Sequence, residues 1–337
     1  MDVMDLSGAH MGDRAAIAWA GALGRMLSQG VELRQLCLKE NSLAGPGMTA
    51  VTAALAECRQ LKTLDLTMND LGGDGGPALG ALLRSLPRDQ LEKLQLSRCK
   101  LGDRNAKLIA EGLVGSTALK QLDMSRNGLG MGSVEGQRGQ GAASAIATLL
   151  EARSCPLESI CLSYNQLLAK HAGRIAAAFR HNQQLCILDL SWNSLANDGV
   201  MHLADALRGN RSLTKLDLTH VEMKERGAMV IADVLKENKV LKEIILNENP
   251  IGQRGGRALL RCASPALSPL QLILSYKSDK SLCGTGRCAS LCSTAATSTF
   301  TCSAATTASQ THPKSSSTQR RLAGDTSSTS RTRTRGW

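Results

Sequence analysis

LDLSWNSL, residues 188–195, alternates apolar and polar side chains as a half-buried strand does, then places Trp192 where the alternation assigns the surface. It is one of three tryptophans in 337 residues of which only 2% are aromatic, so its position needs a reason. The reason depends on whether the stretch stands alone.

It belongs to a series. The pattern L-x-x-L-x-L-x-x-N-x-L starts at Leu33, Leu61, Leu91, Leu119, Leu157, Leu185, Leu213 and Leu241, with a weaker unit at Met1 and a degenerate one at Pro269. The steps are 32, 28, 30, 28, 38, 28, 28, 28 and 28 residues. The second half of each unit changes rhythm. Counting from the first leucine, position 15 is glycine in five units (Gly47, Gly75, Gly199, Gly227, Gly255). Position 19 is apolar, as in Ile175 and Leu203, position 20 is usually alanine, and position 23 is apolar, as in Phe179 and Leu207. That spacing is one face of a short helix. Strand, turn and helix therefore repeat, and neither element can bury its apolar face without stacking on the next unit.

Position 9 holds Asn41, Asn69, Asn127, Asn165, Asn193 and Asn249, where an amide can satisfy backbone groups buried by the turn. Cys99 and Val221 replace it in two units. A cysteine there, in 28-residue units carrying full helices, resembles the ribonuclease-inhibitor-like subclass of leucine-rich repeats. That subclass includes the repeat regions of NOD-like receptors, Ran GTPase-activating protein, tropomodulin-type actin regulators and flagellar dynein-regulatory proteins. The resemblance covers residues 1 to about 276. It implies an α/β fold: a right-handed leucine-rich repeat solenoid, or horseshoe, with parallel strands on the concave face and helices on the convex face. Its members share a scaffold and differ in partners.

Residues 1–276 are thus expected to form a solenoid of about ten units, and residues 277–337, rich in Ser, Thr and Arg, a disordered tail. The net charge of +11 divides unevenly: the tail holds nine basic and two acidic side chains, giving +7, and leaves +4 for the solenoid. Nucleic acid is therefore not expected as a partner except through the basic tail. Apolar residues are dispersed at repeat spacing, so neither a signal peptide nor a membrane span is expected. Of eleven scattered cysteines most sit inside repeat units, which suits a reduced cytoplasmic protein, with cytoskeletal or ciliary association as a variant.

Catalytic motifs are missing from the sequence, and no enzyme, cofactor or metal is expected. The glycine-rich insertion GLGMGSVEGQRGQGAAS in the fifth repeat has no Gly-Lys-Ser/Thr ending and reads as a loop leaving the solenoid. His171, His181, His202 and His220 are expected to be solvated or capping. A Ran GTPase-activating role is the alternative implied by the resemblance; that family's acidic C-terminal segment is replaced here by a basic one. A third reading takes the chain as a repeat fragment of a NOD-like receptor or a flagellar or cytoskeletal protein.

Period-2 alternation sends positions 4 and 6 to the core and positions 3, 5 and 7 to the inner surface, with position 8 at its edge. Position 5 carries Asp5, Asp65, Asp123, Asp189 and Asp217, an acidic stripe habitual in this subclass. Position 7 is nearly all hydroxyl. Position 8 reads Arg98, Arg126, Tyr164, Trp192, His220, Glu248, Tyr276 from the fourth unit onward. Arg, Tyr and Trp are the types enriched in interface hot spots. Arg98, Arg126, Tyr164, Trp192, His220 and Tyr276, with Asp189 and Asp217 beside them, are therefore the expected contacts of a protein partner on the concave face, and no small-molecule substrate is expected.

Overall fold

The computed structural model describes residues 2–131, 141–152, 156–262 and 270–274. In chain order the elements are β1 (Val3–Asp5), α1 (Gly12–Ser28), β2 (Gln35–Cys37), α2 (Gly45–Leu55), β3 (Thr63–Asp65), α3 (Gly75–Ser85), β4 (Lys93–Gln95) and α4 (Gly102–Leu113). There follow β5 (Gln121–Asp123), α5 (Ala142–Glu151), β6 (Ser159–Cys161), α6 (Ala169–Phe179), β7 (Ile187–Asp189), α7 (Ala196–Gly209), β8 (Lys215–Asp217), α8 (Glu225–Glu237), β9 (Glu243–Ile245), α9 (Gly252–Cys262) and β10 (Gln271–Ile273). The strands form one parallel sheet in sequence order, and each pairs in register with the same positions of the next: Leu188 lies opposite Ile160 on one side and Leu216 on the other. The fold is the α/β leucine-rich repeat solenoid expected from the periodicity. Among the described residues no helix is long and apolar enough to cross a membrane.

Repeat leucines make the core. Leu185, Leu188, Leu190 and Leu195 are all fully buried, as is Phe179 from the helix of the unit before. Each helix packs chiefly on the helices of the adjoining units. The insertion residues 132–140, the boundary near residue 276, and the whole tail lie outside the described residues.

Three polar ladders tie unit to unit. Position 9 is the first. The Asn127 amide donates to the carbonyls of Leu96 and Ser125, and its oxygen accepts from the backbone of Cys99 and Leu101 in the preceding unit. Asn69, Asn165, Asn193 and Asn249 repeat the arrangement. The amide thus bridges two units, which is more than the closing of its own turn expected from sequence. Cys99 keeps half of this: its thiol donates to the Leu66 carbonyl at 3.1 Å, the place an asparagine amide takes elsewhere. Burial pushes that thiol's pKa up to about 12, so it stays protonated.

Position 26 is the second ladder. The amides of Asn182, Asn210 and Asn238 donate to the last-turn carbonyls of Leu150, Phe179 and Leu207, 2.7–2.8 Å away in the preceding helix. Their oxygens accept from the Leu185, Leu213 and Leu241 backbones that open the next unit.

Position 13 is the third. Helices α1 to α8 receive no side-chain hydrogen bond from their own N-cap residues. Instead Asp13 in α1 accepts from Ala44 and Gly47 at the start of α2, and Asn197 in α7 accepts from Lys224 and Gly227 at the start of α8. Asp103 in α4 accepts from Gly130 and Ala142 and so holds the two ends of the insertion. Gly47 and Gly227 at position 15 follow from this close approach: a Cβ would stand 2.5 Å from Asp13 Oδ1 in the first and 2.8 Å from Asn197 Oδ1 in the second.

Candidate partner-binding row

The backbone at position 8 is the same in every unit where that position is described. Glu40, Met68, Arg98, Arg126, Tyr164, Trp192, His220 and Glu248 all have φ between +51° and +62°, and Gly8 takes the place in the first unit at +68°. The left-handed region costs an L-residue roughly 1–2 kcal/mol. It persists because the sheet requires it: after the strand ends, the position-8 N–H still donates to the position-7 carbonyl of the next unit. Tyr164 reaches Ser191, Trp192 reaches Thr219 and His220 reaches Asn247, at 2.7–2.9 Å. Period-2 reading placed this residue at the edge of the surface but could not see the positive φ.

The turn aims successive side chains the same way at strand spacing, and they stack. Tyr164 and Trp192 lie 4.8 Å apart between ring centroids at 7°, and Trp192 and His220 4.2 Å apart at 17°. The Arg126 guanidinium sits 3.5 Å from the Tyr164 centroid, a cation–π contact that closes one end. At the other end His220 Nδ1 is 3.6 Å from Glu248 Oε2. Five successive units thus contribute to one stack. Its ring faces are used internally and its edges face outward. Tyr164 is 38% exposed and Trp192 half-buried, and among the described residues neither the phenol nor the indole N–H has a hydrogen-bond partner.

Arg98 is exposed one unit before the stack, and its guanidinium has no carboxylate partner among the described residues; nor does that of Arg126. Two residues beyond Arg98, Lys100 engages Asp70 at 2.7 Å. Tyr276 lies outside the described residues.

The aspartate stripe does a different job. Each carboxylate accepts the backbone N–H two residues on: Asp65 from Thr67, Asp123 from Ser125, Asp189 from Ser191 and Asp217 from Thr219, at 2.8–2.9 Å. Those N–H groups point away from the ladder, so the aspartate is what satisfies them. Cys161 also donates its thiol to Asp189 at 3.2 Å. Hydrogen bonds from Ser7 hold Asp5 below the usual carboxylate range. Burial raises Asp217, with the charge of Asp189 on the adjacent strand adding to it.

One expectation is corrected in detail. Position 7 is not open surface throughout: Ser125, Ser163 and Ser191 are 6–8% exposed. These are the hydroxyls of the units whose position 8 carries Arg126, Tyr164 or Trp192. His171 takes the capping role of the two expected: it is buried, and its Nδ1 accepts the Leu168 N–H at 2.9 Å, a cap on α6. Burial lowers its pKa. Among the described residues no three His, Cys, Asp or Glu side chains gather as a metal site needs.

A leucine-rich repeat family model matches residues 57–80 and 181–204. The human NACHT, LRR and PYD domains-containing protein 13 is 30% identical over 161 residues, 47% of this chain and 14% of that protein. Pig ribonuclease inhibitor is 32% identical over 111 residues, 32% of this chain and 24% of the inhibitor. The chain therefore spans well under a third of the length of these relatives. Among solved structures, the leucine-rich repeat-containing protein LegL7 of Legionella pneumophila is 17% identical, covers 81% of this chain and 83% of its own, and has a TM-score of 0.46.

Proposed function

We propose that this chain, a leucine-rich repeat protein of the ribonuclease-inhibitor-like kind, is a non-enzymatic scaffold that holds a protein partner along the position-8 row. The carrying observation is the stack of Arg126, Tyr164, Trp192 and His220, three successive rings capped by a guanidinium on a backbone the scaffold has already fixed. Such rings lose little rotamer freedom on binding, which is the main reason preorganised aromatics dominate interface energetics. The indole N–H and phenol are left for a partner's acceptors. Six free thiols among the described residues fit a reducing compartment, with the cytoplasm the expected one. Pig ribonuclease inhibitor, a relative named for acting on another protein, supports a partner of the same general kind.

The test compares Tyr164→Ala/Trp192→Ala with Asp13→Ala, which weakens the fold far from the row. The first loses its stacking and is destabilised by about 2 kcal/mol. It is expected to lose proteins captured from cell lysate that Asp13→Ala retains at equal residual stability. Unchanged capture by the double variant would overturn the reading.

A further inference from the structure

We infer that the partner presents an acidic segment, rich in Asp and Glu, to the Arg98–Arg126 end of the row. The inference rests on the scaffold reading above and adds the chemistry of the partner to it. Charge on this face looks ambiguous at first, because five aspartates run beside the row, which holds only two arginines and, two units before Arg98, a glutamate, Glu40, paired with Lys39 at 3.3 Å. Bonding resolves the ambiguity. Asp65, Asp123, Asp189 and Asp217 each have a carboxylate oxygen committed to a backbone N–H of their own unit, and the second oxygens of Asp65 and Asp189 receive thiols from Cys37 and Cys161. The stripe is thus largely satisfied by the scaffold.

The row is not. From Arg98 to Trp192 it offers, in order, a guanidinium with no carboxylate partner among the described residues, a guanidinium whose face lies on Tyr164, a phenol and an indole N–H. Two of these are multi-donor cations without acceptor capacity, and the indole can only donate. A guanidinium whose planar fork is open prefers a carboxylate, which it can engage through two parallel hydrogen bonds. The rows beyond Trp192 point the other way. Glu248 meets His220 at 3.6 Å and brings a carboxylate to that end of the row. An acidic segment is drawn to the Arg98–Arg126 end and repelled from the Glu248 end, which fixes its place along the row. Its backbone carbonyls would meet the Tyr164 phenol and the Trp192 indole.

The probe is poly-L-glutamate, titrated against the full chain at low and at physiological salt, with poly-L-lysine in parallel. Because the chain is basic as a whole, the deciding comparison is charge-matched: Arg98→Ala/Arg126→Ala on the row against Arg254→Ala/Arg257→Ala on the exposed face of α9. The row variant is expected to weaken poly-L-glutamate binding at least tenfold and the α9 variant less than twofold, with the difference shrinking as salt rises. Equal losses from the two variants, or tighter binding of poly-L-lysine at the row, would overturn the inference. If that happens while Tyr164→Ala/Trp192→Ala still abolishes lysate capture, the scaffold reading stands and only the acidic partner falls; if lysate capture also survives, both fall.

Discussion

Trp192 takes its conformation from a backbone hydrogen bond to Thr219 and its surroundings from the rings on either side. These two influences are separable by substitution. At a φ of +56°, Trp192→Gly is expected to leave the protein about 1 kcal/mol more stable than Trp192→Ala, the reverse of the usual order, and paired thermal melts would read the difference. Asn127 tests a different residue-scale role. Asn127→Ala strands the carbonyl of Leu96 and the N–H groups of Cys99 and Leu101, all in the interior, while the Ser125 carbonyl keeps the Arg98 N–H. A loss of about 3 kcal/mol in urea denaturation is expected, against well under 1 for an exposed asparagine. Asp217 gives the pH dependence. Its folded pKa is raised above the ordinary 3.8, so the folded state binds the proton more tightly, and the group costs stability once pH has risen through the folded value. Asp217→Asn keeps an oxygen for the Thr219 N–H. It is therefore expected to raise the melting temperature at pH 7 and to lose that advantage as pH falls below the ordinary carboxylate range.

At the scale of elements, strands and helices were legible because burial imposes periods of 2 and 3.6 on the leucines, and no other pattern fits Leu188, Leu190 and Leu195 with Leu203 and Leu207. The caps were not. A helix is usually searched for a capping side chain just before its own first turn, and here that side chain sits one unit earlier, in the first turn of the preceding helix. The signal existed in the sequence: Asp13, Asp103 and Asn197 share position 13, and Asn182, Asn210 and Asn238 recur every 28 residues. The consequence is that damage crosses units. Asp13→Ala should loosen α2, whose Ala44 and Gly47 amides it holds, by about 1 kcal/mol. Hydrogen exchange should then quicken at the start of α2 and leave the first turn of α1, where Asp13 itself resides, nearly unchanged. Faster exchange confined to α1 would show that the bond acts at home instead.

For the solenoid as a whole, stability is a chain of neighbour terms, since elements pack on the units before and after them and on little else. Asn165 belongs to one such junction, joining its unit to the one holding Met124, Asn127 and Leu129. Asn165→Ala is expected to uncouple the two sides, so that units before and after it unfold with separable midpoints in hydrogen-exchange-monitored denaturation, where the unaltered protein gives one. The row's location was legible at this scale, because aligning the units put both tyrosines and Trp192 in one column. Its stacking order and its contrast with the satisfied aspartates were not, because both depend on where lone pairs and ring faces point. The left-handed turn at position 8 has one more implication. It supplies nine equivalent mounting points, Gly8 to Glu248, that have been filled with glycine, methionine, acids, arginines and aromatics but never with a β-branched residue or proline. Side-chain identity there is decoupled from the hydrogen bond that builds the sheet. The proposed binding row is thus written in a restricted alphabet, one letter per repeat, that single substitutions can change while the leucines stay as they are.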